Sequence, residues 1–112
     1  DPASCPVAIV FSRNWLDKDS YTPEDKNKIR NISNGPIENL TLTVVFYDNT
    51  MRKKVGKIDQ TVATSSKPYL PETDKWIYFT WPRTVQPNHQ LAVIILWEGQ
   101  FLKEFPVVKR HR

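Results

Sequence analysis

Ile37-Glu38-Asn39-Leu40-Thr41-Leu42-Thr43-Val44-Val45-Phe46-Tyr47-Asp48 is the stretch that decides the fold. From Leu40 onward, Leu40, Leu42, Val44 and Phe46 fall on one face of an extended strand, and Thr41, Thr43, Val45 and Tyr47 on the other. Period-2 alternation in β-branched and aromatic residues marks a strand. Its aliphatic face needs a second layer to cover it, which predicts a central strand of a packed sheet.

Working outward toward the N-terminus, residues 28–33 alternate and read as a strand. Asn34-Gly35-Pro36 breaks it, because Asn-Gly supplies positive φ and Pro cannot donate to a ladder. Thr22-Pro23-Glu24-Asp25 carries helix-start signals, a Thr cap with Pro at the first helical position and an acid three residues after the cap. That predicts one or two helical turns before Ile29. Residues 6–11 read as the first strand.

Toward the C-terminus, Asp48-Asn49-Thr50 makes a turn, and residues 51–58 read as a strand made basic by Arg52, Lys53, Lys54 and Lys57, in the manner of a protected sheet edge. Residues 61–63 read as a brief strand and 65–74 as the longest loop. Residues 75–81 alternate Ile77, Phe79 and Trp81 against Trp76, Tyr78 and Thr80. After a loop at 82–90, residues 91–97 are continuously apolar, the pattern of a strand buried on both sides. Glu98-Gly99 is a hairpin turn and 100–108 the last strand. About seven strands, with turn signals every ~8–12 residues, predict an all-β chain folded as an antiparallel β-sandwich of immunoglobulin or fibronectin type III kind. The Cys…Trp…Cys pattern of antibody domains is missing, so the expectation extends to the architecture alone.

The bulk properties fit one folded domain over 1–112, with an N-terminal tail at 1–5 and a basic C-terminal tail at 109–112. Hydrophobic residues make up 39% of the chain and aromatic ones 12%, too many for a disordered polymer. The formal charge is +4, but Lys109, Arg110 and Arg112 hold three of those charges, leaving +1 for the body (4 − 3). A nucleic-acid binder concentrates positive charge on its folded face, so no nucleic-acid partner is expected. No apolar run reaches the roughly 20 residues that span a bilayer. No signal-peptide pattern opens the chain, and a chain that begins at Asp1 is compatible with a leader already removed. Cys5 is the only cysteine, which leaves no intramolecular disulfide. It reads as a free thiol, half of an intermolecular disulfide or a lipid-modified anchor, and Pro2 stands where a lipobox wants a large aliphatic residue.

Residues 30–48, from Arg30-Asn31-Ile32-Ser33-Asn34-Gly35-Pro36 through Phe46-Tyr47-Asp48, resemble the FxLYD-type group of bacterial immunoglobulin-like domains. Those domains carry a short strand ending in Asn and a small polar residue, a turn, then a strand closing in an aromatic pair and Asp. The family's later Pro-Gly turn is matched only by Val85-Gln86-Pro87-Asn88, with Asn in place of Gly. The resemblance implies an extracytoplasmic, non-enzymatic sandwich serving as an accessory or assembly module, and it implies no catalytic residues. Independently of it, Asn31 is suited to bonding the adjacent turn and Asp48 to capping the turn after its strand.

No pattern of catalytic or cofactor chemistry emerges. Nucleophilic catalysis needs a nucleophile, a base and an orienting group, and the histidines are His89, in a loop, and His111, in the tail. Asp17, Asp19, Glu24 and Asp25 lack the Gly and the closing Glu of an EF-hand, so no metal is expected. The sequons Asn31-Ile32-Ser33 and Asn39-Leu40-Thr41 matter only in a eukaryotic secretory setting. The expected function is therefore a non-catalytic module, periplasmic, on the cell surface or secreted, which makes protein contacts in an envelope or secretion assembly. Arg52, Lys53, Lys54, Lys57, Tyr69 and Leu70 are its expected partner surface, with membrane contact only through an N-terminal anchor. The alternative is a carbohydrate-binding module stacking sugars on Trp76 and Tyr78.

Overall fold

A computed structural model describes residues 4–12, 24–80 and 82–108, with the backbone alone at 11–12, 24–26 and 78–80. Seven strands run in chain order: β1 (Val7–Ser12), β2 (Glu24–Asn31), β3 (Leu40–Asp48), β4 (Lys53–Ala63), β5 (Asp74–Thr80), β6 (Leu91–Trp97) and β7 (Gln100–Val107). They form two antiparallel sheets, ordered β1-β2-β5 and β4-β3-β6-β7. This three-plus-four division is the immunoglobulin-like, fibronectin type III-like sandwich that the alternation predicts.

Strand β3 is central, as expected: it pairs with β4 on one side and β6 on the other. Its inward Leu42, Val44 and Phe46 are each 1% exposed. The register sets Phe46 opposite Val93 and Val44 opposite Ile95, so both strands turn the same aliphatic face inward. Val7, Ile29 and Ile77 supply the facing layer from the other sheet, and Trp97, Phe105 and Val107 complete the core.

The chain crosses between the sheets three times, after β2, after β4 and after β5. The first two crossings meet at Asn31, a buried side chain. Its Nδ2 donates to the carbonyls of Tyr69 (2.8 Å) and Gly35 (3.1 Å), and its Oδ1 accepts from the Ser33 amide (2.9 Å). Its backbone N–H bonds the Thr73 carbonyl, and its own carbonyl takes the Glu72 amide. Ile37 and Tyr69 exchange backbone bonds beside it. The turn-bonding role expected of Asn31 is thus real, and it reaches further, into the β4–β5 loop. Burial and these bonds leave the first sequon asparagine no room for a glycan.

Two turns show why particular residues stand where they do. Glu98 (φ 46°) and Gly99 (φ 79°) are both left-handed, the requirement of a type I′ hairpin turn. Asn88, which stands where the family resemblance expects Gly, takes φ 64°, a region Asn tolerates better than other side chains. Gly56 is needed for a close approach instead: a Cβ there would lie 2.7 Å from Pro82 Cγ.

Four expectations differ from the structure. Glu24 and Asp25 do not begin a helix but open β2, paired with Thr80 and Phe79; strand pairing overrides the local capping signal, and Thr22 and Pro23 lie outside the described residues. The strands expected at 51–58 and 61–63 are one edge strand, because Asp59 and Gln60 continue the ladder opposite Thr43 and Leu42. Met51 and Arg52 belong to the preceding turn, where Arg52 has φ 56°. Strand β6 is covered fully on one face only: Ile94 and Leu96, on its outer side, are half-buried, and no described strand packs over them.

Truncating the centre of β3 tests this core. Leu42→Ala removes a fully enclosed side chain and leaves a cavity, so urea denaturation should show a loss of about 2–5 kcal/mol. A loss below about 1 kcal/mol would mean that the site collapses freely or is not core.

Candidate binding surfaces

Among the described residues, the pair that most resembles catalytic machinery is Asp48 with His89. Asp48 is completely buried, its Oδ2 lies 2.7 Å from His89 Nδ1, and its Oδ1 accepts the Met51 amide at 2.8 Å. Burial alone pushes the Asp48 carboxyl up; the His89 hydrogen bond, the Met51 and Thr50 amides and the charge of His89 overcome it, holding the carboxyl below its usual range. The pair fastens the β3–β4 turn to the segment entering β6, where the Asn49 amide also bonds the Gln90 carbonyl. Cys5, the sole thiol of the sequence, stands near Glu98, at the far end of β6 from His89, about 20 Å along the strand. Burial pushes its thiol pKa up, the direction opposite to activation. Asp48 and His89 therefore act as a clamp, and Asp48 caps its turn as expected.

Two outer faces are available for binding. The first belongs to the three-stranded sheet. Inward Asn27, Ile29 and Asn31 on β2 leave Lys28 and Arg30 pointing outward, and the register sets Lys28 opposite Trp76 and Arg30 opposite Asp74. Arg30 grips Asp74 with both arms of its guanidinium, Nε to Oδ1 at 2.7 Å and Nη2 to Oδ2 at 3.1 Å. Lys28 Nζ lies 3.4 Å from Asp74 Oδ2 and 5.7 Å from the centroid of the Trp76 ring. The Arg30 hydrogen bond, followed by desolvation acting in opposition and then the charges of Arg30 and Lys28, holds Asp74 below the usual carboxylate range. Trp76 is 41% exposed, so it is not the core side chain that its size predicts; Ile77 takes the core position. An open groove of about 420 Å³ runs past Val10, Lys28, Arg30, Asp74 and Trp76. A second, of about 560 Å³, continues from Arg30 and Asp74 past Ser33 and Glu72. The side chain of Tyr78 and the whole of Trp15, Trp81, Asp17 and Asp19 lie outside the described part.

The second face belongs to the four-stranded sheet. Val45 and Tyr47 on β3 stand beside Ile94 and Ala92 on β6, and Leu96 stands opposite Phe101, which is 62% exposed. Lys57 and Lys54 on β4 pair with Val45 and Tyr47 and border this apolar strip. Strand β4 is an edge strand, as its lysines imply. Its edge is also closed in two places by side chains: the Thr84 hydroxyl donates to the Val55 carbonyl, and Lys75 Nζ to the Val62 carbonyl at 2.9 Å.

The partner surface expected from sequence does not assemble as one patch. Arg52, Lys53, Lys54 and Lys57 are exposed at one end of β4, whereas Leu70 follows its other end, about 30 Å along the strand from Lys53. Tyr69 is withdrawn from that surface altogether. It is 6% exposed, and its hydroxyl lies 2.9 Å from the Ile29 carbonyl and 2.7 Å from that of Thr73. The Ile37 bridge folds the 65–74 loop inward at Tyr69. Sequence reasoning missed Lys28, Arg30 and Asp74. Their signal was present in the polar alternate positions of 28–33, set against an edge strand opening on an acid.

No protein-family model and no curated protein matches the chain. Among solved structures it is similar to a β-glucuronidase from glycoside hydrolase family 2, with a TM-score of 0.54 and 10% identity, over 90% of this chain and 12% of that one. It also aligns with a Bacteroides fragilis protein assigned as a β-galactosidase, with a TM-score of 0.37 and 17% identity, over 90% of this chain and 15% of that one. The chain thus spans about an eighth of the length of the first, and the likeness is one of fold.

Acid unfolding tests the clamp. Asp48 and Asp74 both titrate lower in the folded chain than in the unfolded one. The stability they contribute is fully present above the ordinary carboxylate pKa of about 4 and is lost as pH falls toward the folded values. Urea midpoints should therefore be flat at neutral pH and drop in acid. Asp48→Asn should lower the neutral midpoint and flatten the acid fall; an acid profile identical to that of the unsubstituted chain would remove Asp48 from this role.

Proposed function

We propose that the chain is a non-catalytic immunoglobulin-like module working outside the cytoplasm, in the periplasm, on the cell surface or after secretion, through protein contacts in an envelope or secretion assembly. One observation carries this reading: the outer face of the four-stranded sheet. A strand as apolar as β6 has the composition of one covered on both sides, yet Ile94, Leu96, Val45 and Tyr47 stay half-buried and Phe101 lies open beside them. An apolar strip bordered by charge suits a protein partner, because its centre loses water on contact and its rim steers the encounter. Lys54 and Lys57 make the β4 side of that rim basic and Glu104 makes the β7 side acidic, so the partner meets the lysines with acidic residues. Leu70 lies away from this face and drops out of the surface, as does the buried Tyr69. The resemblance of 30–48 to FxLYD-type domains supports the location and the assembly role. Membrane attachment, where present, runs through Cys5.

Site-specific photo-crosslinking in the intact source cell tests this reading. A benzophenone amino acid at position 101 should give a discrete crosslinked protein, and Lys54→Glu with Lys57→Glu should sharply reduce its yield at unchanged expression. A crosslink obtained from position 70 with none from 101 would place the contact surface elsewhere.

A further inference from the structure

The opposite sheet carries a second, chemically different surface. Trp76 projects from a strand of a rigid sheet, so its indole is held without loop ordering, and binding to it costs little conformational entropy. Beside it stand a fixed acceptor, the Asp74 carboxylate, a fixed donor, the Arg30 guanidinium, and a movable one, the Lys28 ammonium. Asp74 engages both cations and offsets one of their two charges, and Glu72 lines the adjoining groove, so the surface presents directed hydrogen-bond donors with little net positive field. That weighs against a phosphate-rich ligand, which a basic surface recognises through net charge. A flat apolar plate next to a paired donor and acceptor matches a different chemistry: a ring with an apolar C–H face and hydroxyls around its edge.

We infer that Trp76, Lys28, Arg30 and Asp74 form a saccharide-binding platform for β-linked pyranose chains with equatorial hydroxyls. Equatorial substitution leaves the ring's axial C–H bonds as a flat face for the indole and sends adjacent hydroxyls outward in pairs. One hydroxyl of a pair donates to Asp74 while its neighbour accepts from Arg30. Lys28 shares the indole at 5.7 Å, and its long stem lets it swing fully onto Asp74 as a ring docks. The grooves of about 420 and 560 Å³ meet at Arg30 and Asp74 and fall within the size range of ligand clefts, giving a path for more than one ring. The platform lies on the sheet opposite the apolar strip, so a glycan and a protein partner can be held together, and either surface can fail its test without the other.

Titration of the full chain with cellopentaose and with chitopentaose, followed by tryptophan fluorescence and amide NMR shifts, tests the platform; maltopentaose, α-linked and curved, is the control. At least one β-linked probe should bind saturably, with shifts centred on Lys28, Arg30, Asp74 and Trp76. Trp76→Ala and Asp74→Asn, each checked for an unchanged circular-dichroism spectrum, should weaken that binding by about tenfold or more. If Trp76→Ala does not fold, the shift map on the unsubstituted chain decides alone. No saturable binding up to about 10 mM of either β-linked probe, shifts centred elsewhere, or binding that survives Trp76→Ala would each overturn the platform. Maltopentaose binding as tight as the β-linked probes would overturn the flat-ring assignment.

Discussion

The sandwich depends on keeping every buried polar group paired where the chain crosses between its sheets. A crossing brings irregular backbone close to an apolar core, and each unpaired N–H or carbonyl left there costs about 1–3 kcal/mol. Two buried polar side chains meet this constraint at opposite ends of β3. Asn31 serves the crossings after β2 and after β4, with both of its amide protons and its carbonyl oxygen engaged. Asp48 serves the crossing after β5, through His89 and the β3–β4 turn. The aliphatic face of β3 supplies the burial between them, while these two groups fix which loops meet.

The same arrangement leaves the two outer faces as the surfaces open to a partner. His89 is drawn into a clamp, and Cys5 is packed against the core at the other end of β6. What remains outside is two sheets with contrasting surfaces. The four-stranded sheet presents apolar side chains between a lysine-bearing edge and Glu104, whereas the three-stranded sheet presents an indole among paired charges. An inward face must be apolar in both sheets, so the difference between them lies in the alternate positions, the ones the core leaves unconstrained.

Much of the fold was legible in the sequence because it follows a period. Leu40 to Phe46 alternate, residues 91–97 form an apolar strand and Glu98-Gly99 is a hairpin turn, and each of these elements reads correctly without a partner in view, although the second face of 91–97 is only half-covered. The errors fall where a distant residue decides. Glu24 and Asp25 carry helix-start signals, but pairing with β5 extends them. Tyr69 sits between prolines in a polar loop, and only the bridge to Ile37 and the bonds to Ile29 and Thr73 draw it inside. The basic residues of β4 were read correctly as an edge, yet joining them to Leu70 ignored the length of an eleven-residue strand. Lys28, Arg30 and Asp74 escaped notice because 44 residues separate Arg30 from its carboxylate, and only the β2–β5 register unites them.

Native-state hydrogen exchange on Asn31→Ala tests the dependence on buried pairing most directly. The substitution removes one of the two donors to each of the Tyr69 and Gly35 carbonyls, leaving them the Ile37 amide and the Ser33 hydroxyl, and it takes the acceptor from the Ser33 amide. The amides of Ile37 and Tyr69 should then exchange about 5- to 150-fold faster, the equivalent of about 1–3 kcal/mol, while those of β6 change less. Wild-type protection at Ile37 and Tyr69 in the substituted chain would show that the crossings hold without Asn31, and would contradict the account.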